Sequence, residues 1–234
     1  MGGDNVLTVG ILGGMGPMAT VDLFAKIVEC TPATCDQDHI KIIVYNNPQI
    51  PSRIEAILNG SRSPAGKLID SARFLENAGA NLLVMPCNTA HYWYQDIQAA
   101  VTIKLINMIE NTANAVASQE NSGDIVLFAS AGTVQTALYQ KAFLAKNISL
   151  LIPKPDEQQI ISLAITAAKA GQLENNPYLG QLDEIMFAYQ QAGANSVIGG
   201  CTEIPLLFKY SNRECCQIDP TRLLAQEVVR QAIL

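Results

Sequence analysis

Two cysteines of this 234-residue chain stand in matching contexts. Ala78-Gly79-Ala80-Asn81 precedes an apolar run ending at Cys87-Asn88-Thr89, and Ala192-Gly193-Ala194-Asn195 precedes one ending at Cys201-Thr202-Glu203. Cys87 and Cys201 lie 114 residues apart, as do Gly79 and Gly193. Each thiol follows a strand-like run and precedes a helix-like one. In a parallel α/β sheet that is a position beyond the carboxyl end of a strand, where such sheets bind ligands. The adjoining helix N-terminus supplies partial positive charge, which favours thiolate over thiol. One such Cys would read as a small core residue. Two at matched positions of a repeat read as a pair facing each other across a cleft. Facing thiols suit a reaction that takes a proton off one face of a carbon and returns one to the other, each group serving as acid or base. A cysteine hydrolase would instead need one thiol with a partner His. His91 lies four residues after Cys87 on the same helical face, but that reading leaves Cys201 and the repeat without a role. His91 equally suits capping or packing the start of its own helix.

Groups able to grip a small anion lie nearby in the sequence. Gly13-Gly14-Met15-Gly16-Pro17-Met18-Ala19-Thr20 contains G-x-G-x-x-A after the first strand. The acidic residue that a dinucleotide site needs at the end of the second strand is missing, since that strand ends in Tyr45-Asn46-Asn47. Backbone N–H groups of the turn are therefore expected to hold a small substrate's carboxylate rather than a pyrophosphate. Arg53 follows Pro48-Gln49-Ile50-Pro51-Ser52, a rigid loop on the same rim as Cys87. Its guanidinium can grip a carboxylate bidentately. Lys169 is the other candidate cation. No metal centre is expected: Cys30 and Cys35 flank a polar turn, Cys215-Cys216 opens a short apolar stretch, neither pair has C-x₂-C spacing, and His39 and His91 are the only histidines.

The elements that must position these groups alternate along the chain. Residues 6–12, 40–45, 81–85, 125–128, 149–152 and 196–198 read as buried strands, and residues 65–78, 155–170 and 179–192 carry helical periodicity. Strand–helix–strand order implies a parallel sheet covered on both faces. Further repeat matches pair Ile106-Asn107 with Ile218-Asp219, 112 residues on, and more weakly Gly13–Gly16 with Ala129–Thr133. The expected architecture is α/β with two similar domains, 1–101 plus 211–234 and 102–210. With 49% hydrophobic and 15% charged residues the chain can bury a substantial core. Fifteen Lys plus Arg against twenty-one Asp plus Glu, net −6, argue against nucleic acid or an acidic membrane surface as partner. No apolar run approaches the ~20 residues that span a bilayer. Met1-Gly2-Gly3-Asp4 lacks a basic region before an apolar one, and Val6 stands where a myristoylation signal needs Ser or Thr. A cytoplasmic location is expected, where the six cysteines stay reduced.

The motifs Gly10-Ile11-Leu12-Gly13-Gly14-Met15-Gly16-Pro17-Met18-Ala19-Thr20, Asn47-Pro48-Gln49-Ile50-Pro51-Ser52-Arg53, Met85-Pro86-Cys87-Asn88-Thr89-Ala90-His91 and Gly199-Gly200-Cys201-Thr202-Glu203-Ile204-Pro205-Leu206 resemble those of the aspartate/glutamate racemase family, specifically its aspartate racemase branch. The resemblance implies two flavodoxin-like domains with parallel sheets, related by a pseudo-two-fold axis, with the active site in the cleft between them. It also implies a homodimer and catalysis without pyridoxal phosphate or any other cofactor. Cys87 and Cys201 match the two acid/base cysteines. Arg53 and Lys169 match positions that bind the carboxylates of an acidic amino acid. Met15, Gly16, Gln49, Asn88, Thr89, Thr133, Thr202 and Glu203 match positions around the substrate. Some relatives replace one cysteine with Thr, whereas this chain keeps both. The implied reaction is interconversion of L- and D-aspartate. A broader racemase that takes glutamate or other amino acids is the alternative, because one methylene discriminates by only about 1–3 kcal/mol. A third reading is a protein that binds an acidic amino acid without turning it over. Maleate isomerases and arylmalonate decarboxylases share the fold, so the fold alone does not fix the reaction.

Overall fold

The computed structural model describes residues 7–119, 124–211 and 216–233. Val6, expected to open the first strand, and Cys215 lie outside the described residues. The chain forms two compact units, Met1–Asn111 with Thr221–Leu234, and Thr112–Pro220.

The first unit is built on β1 (Val9–Gly13), β2 (Ile42–Asn46), β3 (Leu82–Val84) and β4 (Lys104–Leu105), all parallel, in the order β2-β1-β3-β4. The second carries β5 (Asp124–Phe128), β6 (Leu150–Leu151), β7 (Ala194–Gly199) and β8 (Cys216–Ile218), again parallel, in the order β6-β5-β7-β8. All six strands read from the sequence are present. The two that were not, β4 and β8, are only two and three residues long, too short to show a period. The repeat is realised in the helices as well. Ala65–Asn77 and Leu179–Gln191 are both thirteen residues long and lie 114 apart at each end.

Alternation along the strands divides the first core in two. Leu12, Leu83 and Met85 point to one face and pack with Leu68, Ala72 and Leu75 of the helix Ala65–Asn77 and with Trp93 and Ile97. Val9, Ile11, Leu82 and Val84 point to the other. There they meet Leu23 and Ile27 of the helix Pro17–Cys30, and Leu224, Ala225 and Val228 of the helix Pro220–Ala232. In the second unit Val126, Phe128 and Val197 pack beneath the helices Pro155–Lys169 and Leu179–Gln191 through Ile161, Ile165, Leu182 and Met186. Both sheets are thus covered by helices placed by their apolar spacing, which leaves the strand ends as the available places for chemistry.

Candidate active site

In the first unit the chain leaves β1 toward β2 through the helix Pro17–Cys30 on one face, and leaves β3 toward β4 through Trp93 and Ile97 on the other. Adjacent parallel strands whose connections depart to opposite faces splay apart at their carboxyl ends, and ligands bind in the crevice this opens. Residues 14–16 and 85–89 form its two lips.

The glycine turn is shaped by two contacts. Gly14 has φ +99°, and a Cβ there would stand 2.3 Å from the Asn47 carbonyl carbon, so no side chain fits. Its N–H donates to Thr20 Oγ1 at 2.9 Å. The Gly14 amide is therefore committed within the fold, and the carboxylate-holding part expected of this turn narrows to Met15 and Gly16. Met15 is buried, and Gly16 is the N-cap of the helix Pro17–Cys30, with Pro17 as its first residue. Thr20, which fastens the turn, was quoted in the motif but given no role by the sequence reading.

The loop after β2 holds Arg53. Asn47 N–H donates to Gly13 O at 3.2 Å, extending the β1–β2 pairing, and Asn47 Oδ1 accepts from Gln49 N–H at 3.1 Å. Ser52 caps the helix Arg53–Asn59 by accepting from Glu55 N–H at 3.3 Å. Arg53 is half-buried, and its Nη1 donates to the carbonyls of Ile50 (3.1 Å) and Pro51 (2.9 Å). Its Nε is buried without a protein partner. The guanidinium is thus anchored on one side by its own loop and keeps a donor on the other, at the same end of the sheet as Cys87. Gln49 is exposed.

Cys87 is buried, with its N–H donating to Met85 O at 2.9 Å, and Asn88 and Thr89 are buried beside it. His91, 3% exposed, uses both ring nitrogens on backbone. Nε2 accepts from Met108 N–H at 3.1 Å, so the proton sits on Nδ1, which donates to Cys87 O at 2.9 Å. Burial pushes the His91 pKa down to about 4. With neither nitrogen directed at the thiol, the Cys–His dyad of a hydrolase is not formed, and the helix that His91 caps is not its own but Met108–Ala117, which comes later in the chain. A pH dependence follows. Neutral His91 is favoured in the fold, so its contribution is fully present above the unfolded value near 6.5 and is lost as pH falls toward 4. Between pH 7 and 4.5 wild type should lose roughly 2 kcal/mol more stability than His91→Gln, at about 1.4 kcal/mol per pH unit per proton. Urea unfolding of both proteins across that range measures the difference, and parallel curves would refute it.

The second unit repeats the arrangement with different details. A Cβ on Gly200 would meet Leu127 Cδ1 at 2.5 Å and the Ala129 methyl at 3.0 Å, so glycine lets the thiol loop lie against β5. Cys201 is buried, and its Sγ donates to Glu203 Oε2 at 2.9 Å; Thr202 Oγ1 reaches the same oxygen at 3.4 Å. After β5, Ser130 caps the helix Ala131–Gln135 by accepting from Thr133 N–H at 3.3 Å, and its Oγ lies 3.0 Å from Thr133 Oγ1. Gln158 Nε2 donates to Ala129 O at 2.9 Å. Ser130 and Gln158 were not singled out from the sequence; Ser130 could have been, as a cap residue directly before a helix. Lys169 is exposed and is the last residue of the helix Pro155–Lys169. It lies eleven residues beyond Gln158, about 16 Å along the axis at 1.5 Å per residue. The second unit therefore gathers Thr133, Cys201, Thr202 and Glu203 at its strand ends.

Among the described residues Cys30, Cys35, Cys87, Cys201 and Cys216 are free thiols, and no three His, Cys, Asp or Glu side chains cluster as a metal site would require. No described helix is long and apolar enough to cross a membrane.

Two parallel α/β units of identical strand order, each with a buried thiol at the switch point of its sheet, define a paired-domain fold. The chain belongs to the Asp/Glu/Hydantoin racemase family, whose model matches residues 12–228. It is 28% identical over 225 residues to the broad specificity amino-acid racemase RacX of Bacillus subtilis, covering 94% of this chain and 96% of that one. A glutamate racemase of Geobacter metallireducens is 26% identical over 140 residues, 59% of this chain and 50% of that one. Among solved structures, Picrophilus torridus aspartate racemase superposes with a TM-score of 0.86 at 29% identity, over 97% of this chain and 94% of that chain.

Proposed function

We propose that the protein is a cofactor-independent racemase of acidic amino acids that interconverts L- and D-aspartate, with Cys87 and Cys201 as its two acid/base groups. The observation that carries this reading is the placement of both thiols at equivalent switch points of two sheets with the same strand order. Nothing in a binding protein requires two. One thiolate takes the Cα proton while the other thiol delivers a proton to the opposite face, and the roles exchange for the other enantiomer. Glu203 Oε2, which accepts from Cys201 Sγ, is the polar partner of the second thiol. The free donor edge of Arg53 takes a substrate carboxylate, and Asn88, Thr89, Thr133 and Thr202 supply neutral hydrogen-bonding groups to the rest of the amino acid. A reducing cytoplasm is the compartment that keeps such thiols active.

Likeness to the Picrophilus aspartate racemase favours aspartate, while likeness to RacX supports a second reading with wider substrate range. Both are resolved by one experiment in heavy water, with L-aspartate and then other L-amino acids, no cofactor added. Early product should carry solvent deuterium at Cα while unreacted substrate carries almost none, because the group that removes the proton is not the one that delivers. Comparable rates across many side chains would select the broad reading. No exchange and no inversion with any amino acid would remove the racemase.

A further inference from the structure

We infer that His91 is a positioning residue for Cys87: a neutral imidazole that clamps the thiol's own main chain to the first turn of the helix Met108–Ala117. The inference rests on the role proposed above for Cys87 and adds a residue to which that role gives no task. Cys87 O and Cys87 Sγ share one Cα, so whatever fixes the carbonyl limits where the thiol can be. Nδ1–H fixes it at 2.9 Å. The opposite nitrogen is held in turn by the Met108 N–H, one of the donors a helix leaves unpaired at its start. That anchor does not drift, because Ile106 N–H donates to Leu83 O at 2.9 Å and so ties the approach to the helix onto β3, the strand that delivers Cys87. The ring itself lies parallel to Tyr94, centroids 6.3 Å apart and planes 7° apart, and the Tyr94 hydroxyl donates to Leu105 O at 3.1 Å. The imidazole is thus fixed at both nitrogens and flanked by a second anchored ring. The repeat does not copy this device: 114 residues on from His91 the chain has Pro205, and Cys201 is engaged by Glu203 instead.

A clamp of this kind needs a donor and an acceptor on one side chain, long enough to span two backbone groups. Gln meets that requirement and Leu does not. In His91→Leu, kcat should fall by about 10²-fold with KM little changed, the scale expected when a reacting group moves by about 1 Å. His91→Gln should restore most of the loss. Alkylation by iodoacetamide, followed peptide by peptide in the mass spectrometer, gives a readout independent of turnover. The rate at Cys87 should change in His91→Leu while the rate at Cys201 stays at the wild-type value. If His91→Leu does not fold, His91→Asn, too short to reach both backbone groups, takes its place with the same expectations. Unchanged kcat, a Gln variant as impaired as Leu, or equal changes at both thiols would overturn the clamp. Wild-type protein that racemises nothing would instead refute the proposed function, and the alkylation ratio would still decide the clamp.

Discussion

Racemisation should disappear when either Cys87 or Cys201 is replaced by Ser. Both side chains are buried, and the change removes little volume, so each variant should fold as wild type does. What it removes is acidity. A thiol ionises near pH 8.5, whereas a hydroxyl is a far weaker acid and cannot exchange roles between donor and base near neutrality. Loss of one positioned proton-transfer group costs about 10²–10⁴-fold, and a two-base reaction cannot bypass either member. Chiral chromatography of aspartate after long incubation, beside circular dichroism of each variant, tests this. Substantial inversion by either folded variant would show that the two thiols are not the acid/base pair.

Gly14→Ala should be nearly as damaging by a different route. A methyl there would sit 2.3 Å from one backbone atom of Asn47 and 2.4 Å from another, and φ is +99°. Backbone cannot rotate aside as a side chain can. Relief requires parting the glycine turn from the Asn47 loop, which are the segments that carry Met15, Gly16 and Arg53. Left-handed strain of about 1–2 kcal/mol and overpacking of about 1–3 kcal/mol both act. Gly79, with φ +97° and open space around its missing Cβ, is the internal control. Gly79→Ala should show the strain alone and keep its activity. Denaturant midpoints and kcat/KM for the two variants separate the effects, and equal destabilisation would show that the contact with Asn47 yields.

Most of this architecture is legible in residue spacing because the central strands β1, β3, β5 and β7 are mostly buried and the helices carry long apolar periods. Both thirteen-residue helices of the repeat can be read from periodicity, and both thiols from their place after apolar runs. Two kinds of feature were not legible. β4 and β8 take their pairing from neighbours rather than from their own two or three residues. The engagement of Gly14 by Thr20, and of Cys87 by His91, depends on which way a side chain turns, and spacing alone allows several partners.

The helix Pro220–Ala232 has a consequence for how the protein is made. It closes one face of the first sheet with Leu224, Ala225 and Val228, yet it follows the whole second unit in the chain. A ribosome therefore finishes the second unit while Val9, Ile11 and Val84 have the helix Pro17–Cys30 on that face but not yet Leu224, Ala225 and Val228. Domains generally mature in the order they are completed, so here the later half precedes the earlier one. A nascent chain stalled before residue 220 would carry a half-covered apolar face, a surface that chaperones and proteases select. Synthesis of this helix is in this way a condition for closing that face of the first sheet.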